Sequence, residues 1–179
     1  MLNLEDIVLV IVDIQGKLAH SMHEKALLFG NLQKIIEGAI ILEIPIIVTE
    51  QYPEGLGPTV PEIAHLVPGI QPISKRSFSC CGNERFMQAL RGTNRKQILI
   101  AGIEAHICVV QTTMDLLNLG YEVQVVADAV SSRVASNKEI ALEKMKAGGA
   151  CLTSTEMALF ELLRTAEDAK FKEILRIVK

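Results

Sequence analysis

Apolar residues in this chain fall into two kinds of segment that alternate from one end to the other. Continuous runs such as Ile-Val-Leu-Val-Ile-Val, which leads up to Asp13, are typical of parallel strands covered on both faces. Longer segments repeat apolar residues every three or four positions, as amphipathic helices do. The predicted strands cover residues 5–14, 46–49, 70–75, 97–101, 122–127 and 150–153. The alternation predicts an α/β fold with helices on both faces of a parallel sheet.

Capping residues, glycine and proline set the predicted helix boundaries. Asn83 is expected to cap one helix, Ser136 and Glu139 form a capping box for another, and Gly120 ends the helix that follows Cys108. A Gly- and Pro-rich loop without structure of its own is predicted after the second strand, and loops of that length are often functional. The predicted helices cover residues 24–42, 84–90, 109–120 and 136–146, and further helical segments follow from residue 155. The predicted loop covers residues 50–61.

Composition and charge narrow the possible classes of function. A chain of 179 residues, 49% hydrophobic and 22% charged, is long enough to fold as one domain, and we assign residues 1–179 to it. The net charge of −3 gives no electrostatic basis for a nucleic-acid or anionic-membrane partner. Apolar runs too short to span a bilayer, and first residues without a signal-peptide pattern, favour a cytoplasmic protein. High apolar content without a membrane span also predicts a homo-oligomer.

Three chemically reactive residues come at or just after the ends of predicted strands: Asp13, Lys75 and Cys108. Because the carboxyl ends of parallel strands meet at one edge of the sheet, where ligands bind, we expect these side chains to lie together. Cys108 also lies at a helix start, where free N–H groups and the helix dipole favour a thiolate. Plainer interpretations exist: Asp13 could cap a turn, Lys75 could be solvated and Cys108 could be core.

Four blocks of the sequence resemble the isochorismatase-like cysteine hydrolases, and they occur in the order found in that family. The blocks are Val12–Gln15, Thr49–Gly57 with its Glu-Gln-Tyr-Pro, Lys75–Phe78, and Gly-Ile-Glu-Ala-His-Ile-Cys-Val at 102–109. The resemblance matches the small isochorismatase-domain subgroup. It implies a three-layer α/β/α sandwich with a six-stranded, mainly parallel, Rossmann-like sheet, and an oligomeric assembly.

The resemblance also implies residue roles. Cys108 would be the nucleophile that forms a thioester, Asp13 its base and Lys75 their electrostatic partner. A non-proline cis peptide is implied between Ile103 and Glu104, and the N–H groups of Glu104 and Cys108 would form an oxyanion hole. The side chains expected to contact a small-molecule substrate are Gln15, Glu50, Gln51, Tyr52, Phe78 and His106.

The expected activity is hydrolysis of a small amide, imide or related acyl compound. Nicotinamidases of this family carry an Asp-x-His zinc site after the second strand, whereas this chain has Glu50-Gln51-Tyr52, so we expect no metal and no cofactor. Vinyl-ether-cleaving isochorismatases generally lack the cysteine, so Cys108 favours acyl chemistry. Two alternatives remain: an enol-ether hydrolase that acts through Asp13, and a catalytically idle oligomeric scaffold or redox-thiol protein.

Other histidine and cysteine residues suggest weaker predictions. His106 lies two residues before Cys108 and could form a Cys–His dyad, although a tight turn between them favours a carboxylate base instead. Cys80 and Cys81 are expected near the site or against a neighbouring helix. Cys151, inside an apolar strand, is expected in the core.

Overall fold

All residues from Met1 to Lys179 are described by the computed structural model, in which six strands form one sheet. The strands are β1 Ile7–Val12, β2 Ile46–Gln51, β3 Ile73–Lys75, β4 Gln97–Ile103, β5 Glu122–Ser131 and β6 Cys151–Thr153. Their order across the sheet is β3-β2-β1-β4-β5-β6, and every neighbouring pair is parallel. The strand order reverses beside β1, so the carboxyl ends of β1 and β4 flank the crevice where α/β sheets bind ligands.

Nine α-helices connect and follow the strands. They are α1 Gly16–His20, α2 Lys25–Ile41, α3 Pro53–Leu56, α4 Pro61–Ala64, α5 Glu84–Gly92, α6 Val110–Asn118, α7 Ala135–Ala147, α8 Thr155–Leu163 and α9 Phe171–Val178. A 3₁₀ turn, Cys80–Gly82, precedes α5, and a π-helical turn, Ala105–Val109, runs directly into α6. None of these helices combines the length and the apolar character that crossing a bilayer requires.

Two apolar clusters, one on each face of the sheet, make the structure three layers thick. Alternate residues of β1 point to opposite faces: Leu9 and Ile11 pack with α2, α8 and α9, whereas Val8 and Val10 pack with α5, α6 and α7. All six residues of β1 are buried, as expected for a strand covered on both sides. The predicted α/β/α sandwich with a six-stranded parallel sheet is therefore confirmed.

Three strands, β2, β4 and β5, extend beyond their predicted ends. β4 continues through Gly102, which adopts φ +125° where it passes close to the backbone of Val12. β5 continues past Asp128, because the carboxylate of that residue accepts hydrogen bonds from the backbone N–H and hydroxyl of Thr155 at the start of α8. The predicted strand ends before Asp128 because a polar residue interrupts the apolar run. With its carboxylate bonded to Thr155, Asp128 is accommodated and the strand continues to Ser131.

Three local predictions are wrong. The segment 50–61 has structure of its own, since β2 includes its first two residues and two short helices, α3 and α4, start on prolines within it. The capping box does not form: α7 begins at Ala135 and its N-cap residue, Val134, makes no side-chain hydrogen bond. Cys151 is exposed because β6 is an edge strand. The predicted cap of α5 is correct, with Asn83 accepting from the Phe86 N–H at 3.1 Å.

Gly102 should be intolerant of any side chain. A Cβ at this position would overlap the backbone of Val12, and its φ disfavours L-residues, so Gly102→Ala should lower the free energy of unfolding by about 3 kcal/mol or more. Gly120→Ala is the matched control: its φ is +83° with open space around it, and about 1 kcal/mol is expected. Urea unfolding measures both variants, and equal losses would contradict the close approach at Gly102.

Candidate active site

The carboxylate of Asp13 lies directly after β1 and is almost completely buried. Thr49 Oγ1 donates to its Oδ1 at 2.7 Å, and Lys75 Nζ donates to its Oδ2 at 2.7 Å. The sheet produces this arrangement, because Val12 at the end of β1 is paired with Thr49 of β2. Asp13 has φ +53°, a conformation that aspartate tolerates better than most residues. Its side chain is therefore held by two buried donors rather than solvated in a turn.

Lys75 ends β3, and its ammonium group is buried rather than solvated. Besides Asp13, Nζ contacts Gln51 Oε1 at 2.7 Å and the backbone carbonyls of Phe78 at 3.0 Å and Ser77 at 3.2 Å. Burial is the largest single influence and lowers the pKa of Lys75, but the charge of Asp13, the nearby Cys80 and Cys108 and the hydrogen bond to Asp13 together raise it more, so the net pKa lies above the usual value. Lys75 and Asp13 therefore form a charged pair that is satisfied by hydrogen bonds on every side.

Cys108 occupies the π-helical turn before α6 and is 6% exposed. Burial raises the pKa of its thiol most, the negative charge of Asp13 raises it further, and Lys75 lowers it by less. The pKa is consequently well above that of a free thiol. The expectation of a thiolate at this helix start is wrong for the resting site, because desolvation and the neighbouring carboxylate outweigh the helix terminus and the lysine.

Asp13 and Cys108 line the same small cavity at the carboxyl ends of the strands, of about 100 Å³. Gln51 and Glu104 add polar groups to its wall, and the rest is apolar. The apolar residues of the wall are Leu18, Leu56, Phe78, Ile103 and Ile107. A thiol, a carboxylate with a buried ammonium behind it, and a mainly apolar chamber can support attack on a carbonyl carbon.

The backbone before Cys108 contains a cis peptide bond and a carbonyl that accepts two amides. The peptide bond between Ile103 and Glu104 is cis. The carbonyl of Glu104 accepts the amides of Ile107 and Val109, which flank Cys108, but not the amide of Cys108 itself.

Comparison with known proteins identifies the family of this chain. The family model of the isochorismatase domain matches residues 7–157, which is most of the chain. The chain belongs to the isochorismatase-like family of hydrolases. Among relatives, isochorismatase domain-containing protein 2A of Mus musculus is 39% identical over 176 residues, covering 98% of this chain and 84% of that protein.

Two solved structures of the isochorismatase-like family extend the comparison. MAR1 ribonuclease from Caenorhabditis elegans superposes with a TM-score of 0.93 at 36% identity, over 99% of this chain and 91% of that one. YcaC from Escherichia coli, described as an octameric hydrolase of unknown specificity, has a TM-score of 0.93 at 26% identity, over 98% and 89% of the two chains.

Four of the expected substrate contacts do not line the cavity of this isochorismatase-like protein. Gln15 is fully buried and bonds the backbone of Gln51 in both directions, with its Nε2 also donating to Gly57 O at 2.6 Å. Glu50 accepts from the N–H and hydroxyl of Thr59 at 2.6 and 2.7 Å. Both side chains hold the backbone around the site rather than face a ligand.

Tyr52 and His106 also have partners outside the cavity. The Tyr52 ring lies 4.1 Å below the guanidinium of Arg76 and is 43% exposed. His106 Nδ1 lies 2.9 Å from Ser132 Oγ, and no hydrogen bond joins its ring to the Cys108 thiol. Gln51 and Phe78 are the two expected contacts that do reach the cavity wall.

Sequence analysis missed Thr49 and left the position of Cys80 open. Thr49 orients Asp13, and the Cys80 thiol lies 3.8 Å from its hydroxyl, deep behind the site. The pairing of β1 with β2 would have pointed to Thr49, because Thr49 lies opposite Val12, the residue before Asp13. The chain contains no group of three or more His, Cys, Asp or Glu side chains placed to share a metal ion.

Removing the ammonium from the buried pair should be costly. Lys75→Met leaves the Asp13 carboxylate buried without its counter-ion, so the free energy of unfolding should fall by about 3–5 kcal/mol. The double variant Lys75→Met/Asp13→Asn removes both charges and keeps a residue that tolerates positive φ, so it should recover much of that loss. Chemical denaturation at neutral pH checks both. A double variant no more stable than Lys75→Met would contradict the charge argument.

Alkaline pH should destabilise the protein through its buried thiols. Burial raises the pKa of Cys80 from 9.0 to about 11. The unfolded chain therefore releases this proton first, and stability is lost as pH rises from 9 towards 11. One such group contributes a slope of at most about 1.4 kcal/mol per pH unit. Urea unfolding between pH 8 and about 10 should show a shallower decline for Cys80→Ala than for Cys151→Ala, which removes an exposed thiol. Equal declines would contradict the assignment.

Proposed function

We propose that this protein is a cysteine hydrolase that cleaves a small amide, imide or related acyl compound through a thioester on Cys108. The observation that carries the proposal is the shared cavity of Cys108 and Asp13, with Lys75 buried behind the carboxylate at 2.7 Å. A buried ion pair costs stability unless it is well satisfied, and its place beside a thiol is a reason for a chemical role.

The first step couples proton transfer to attack. Because its pKa is raised, the Cys108 thiol carries its proton at neutral pH. As Sγ forms a bond to the substrate carbonyl carbon, the thiol proton passes to the Asp13 carboxylate. Lys75 remains an ammonium and keeps Asp13 in place through its hydrogen bond. The thiolate therefore never has to exist as a free anion in the buried site.

The same step develops negative charge on the carbonyl oxygen. The N–H groups of Glu104 and Cys108 would donate to this oxyanion, as preorganised backbone donors do in acyl transfer. The Glu104 carbonyl takes the amides on either side of Cys108 and not that of Cys108, which supports this assignment.

Collapse of the intermediate completes the reaction. The C–N bond breaks, Asp13 returns its proton to the departing amine, and the acyl group remains on Sγ as a thioester. Water then attacks the thioester, with Asp13 again taking the proton, and the carboxylic acid and the thiol are released. Every proton is carried by Asp13, so the proposal uses no metal ion or cofactor.

The size of the cavity limits the substrate. A volume of about 100 Å³ is below the range of about 300–1,000 Å³ that ligand pockets usually have. The substrate, or the end that reacts, therefore has only a few non-hydrogen atoms. The neighbour from Caenorhabditis elegans is named a ribonuclease, so RNA belongs in the test as a competing substrate, although the net charge of −3 offers it little attraction.

Oligomerisation and location stay predictions. The octamer described for YcaC supports a homo-oligomer, as do the exposed apolar side chains of Ile140 and Met157 on α7 and α8. A cytoplasmic location stays an expectation, and one relative from Phytophthora sojae is named a secreted effector.

A library of small amides and imides, with RNA and an enol ether added, tests the proposed reaction. We expect the native protein to hydrolyse at least one amide or imide and to show an acyl adduct on Cys108 by mass spectrometry. Cys108→Ala should lose the adduct and reduce turnover by roughly a thousandfold or more. Cys151→Ala, which removes an exposed thiol, should keep both.

Two outcomes would contradict the proposal. Hydrolysis at the native rate by a folded Cys108→Ala variant would remove Cys108 as the nucleophile. Cleavage of the enol ether alone, still present in Cys108→Ala and lost in Asp13→Asn, would instead support the alternative reaction through Asp13. Thermal unfolding of each variant shows whether it is folded.

A further inference from the structure

The side chain of Glu104 has no role in the mechanism above, which uses only its backbone N–H. Its carboxylate is nevertheless 95% buried, since the side chain is 5% exposed. Oε1 accepts two hydrogen bonds of 3.1 Å, from the backbone N–H and from Nε of Arg133. The guanidinium is itself 58% exposed, so the ion pair lies between the interior and the surface.

The second oxygen of Glu104 has no partner in the protein. Oε2 takes part in none of the side-chain hydrogen bonds, and it is not among the side-chain oxygens that are both sealed from solvent and unpartnered, a condition found only for Thr113. Solvent therefore reaches this oxygen, although the side chain around it is buried. Glu104 is also one of the residues that line the cavity that contains Cys108.

The other polar groups of the wall are already engaged. Both oxygens of Asp13 accept hydrogen bonds, from Thr49 and from Lys75. The amide of Gln51 donates to the carbonyl of Arg76 and its oxygen accepts from Lys75. Among the carboxylate and amide oxygens of the residues that line this cavity, Glu104 Oε2 is the one without a donor in the protein.

We propose that Glu104 Oε2 faces this cavity, accepts a hydrogen bond from an N–H group of the bound substrate, and selects primary amides and ureido compounds over esters and N,N-disubstituted amides. This inference deepens the proposed function and rests on it. A buried carboxylate oxygen without a donor is unfavourable. The N–H group of an amide supplies that donor. An ester has an oxygen at the same place, which is a second acceptor and cannot form the hydrogen bond. Glu104 thus acts as a specificity-determining residue.

Two alkylating reagents test this without a known substrate. Iodoacetamide and methyl iodoacetate present the same electrophilic carbon and differ in carrying NH₂ or OCH₃. In each, Sγ of Cys108 forms a bond to that carbon, the C–I bond breaks with loss of iodide, and the thiol proton passes to Asp13. Peptide mass spectrometry gives the rate at Cys108, which is divided by the rate of the same reagent with glutathione. The quotient for the amide over that for the ester is the amide preference.

We expect an amide preference of about tenfold or more for the native protein, the usual effect of a hydrogen bond to a charged group. Glu104→Gln should abolish it. The glutamine oxygen continues to accept the two Arg133 donors, which places its NH₂ where Oε2 was and turns an acceptor into a donor. A change in the reactivity of the thiol alters both rates by the same factor and leaves the preference unchanged.

Arg133→Ala is the matched control, since it removes the exposed partner and leaves the carboxylate. It should keep the amide preference. Loss of the preference in Arg133→Ala to the same extent as in Glu104→Gln would overturn the proposal in favour of the guanidinium. Glu104→Met, which has no oxygen, should also lose the preference and provides a second variant if Glu104→Gln does not fold.

The remaining outcomes separate this inference from the proposed function. Labelling of native Cys108 without an amide preference, or an equal preference in native protein and Glu104→Gln, overturns the role of Glu104 and leaves the nucleophile in place. Failure of both reagents to label Cys108 overturns the proposed function, and this inference with it.

Discussion

The charged pair between Lys75 and Asp13 is the interaction on which the rest of the site depends. Taking both groups out of water costs several kcal/mol for each ion, so the pair persists only because hydrogen bonds surround it. Those bonds come from Thr49, Gln51 and the carbonyls that follow β3. Thr49, Gln51 and Lys75 lie near the ends of neighbouring parallel strands, so the register of these strands places the hydrogen-bond partners that keep the pair charged.

Burial and the same pair together determine the protonation state of the Cys108 thiol. A helix start and a nearby ammonium both favour a thiolate, but burial and the Asp13 carboxylate act more strongly in the other direction. The neutral thiol beside the charged pair is therefore the favoured arrangement, and in the proposed mechanism the thiol loses its proton only as Sγ bonds to the carbonyl carbon. In that mechanism the Asp13 carboxylate, held by Thr49 and Lys75, would accept the proton without reorganisation of solvent.

Much of the fold and the position of the three reactive residues could be predicted, because apolar runs define strands and strand ends meet at one edge of a parallel sheet. The direction of side chains was the weaker part. Glu50 and Gln51 are neighbours at the end of β2, yet Gln51 faces the cavity and Lys75 while Glu50 bonds Thr59. Strict alternation of side chains along a strand allows only one of the two to face the site, and sequence alone does not say which. The prediction that Cys151 lies in the core was wrong for a related reason, because an apolar run does not reveal that its strand lies at the edge of the sheet.

The reacting groups and the wall of the cavity are held by different means, and this separates chemistry from selection. Asp13 and Lys75 lie at positions fixed by strand pairing, which leaves little freedom of movement. Leu18, Leu56 and Phe78 come instead from a five-residue helix, a four-residue helix and a turn, where no ladder of hydrogen bonds fixes the chain. The fold that this chain shares with other hydrolases is therefore a better guide to its reacting groups than to its substrate. Glu104 would be the exception under the proposal above, because it is the N-cap residue of the turn that contains Cys108 and also lines the cavity, so that selection by Glu104 would be tied to the backbone beside the proposed nucleophile.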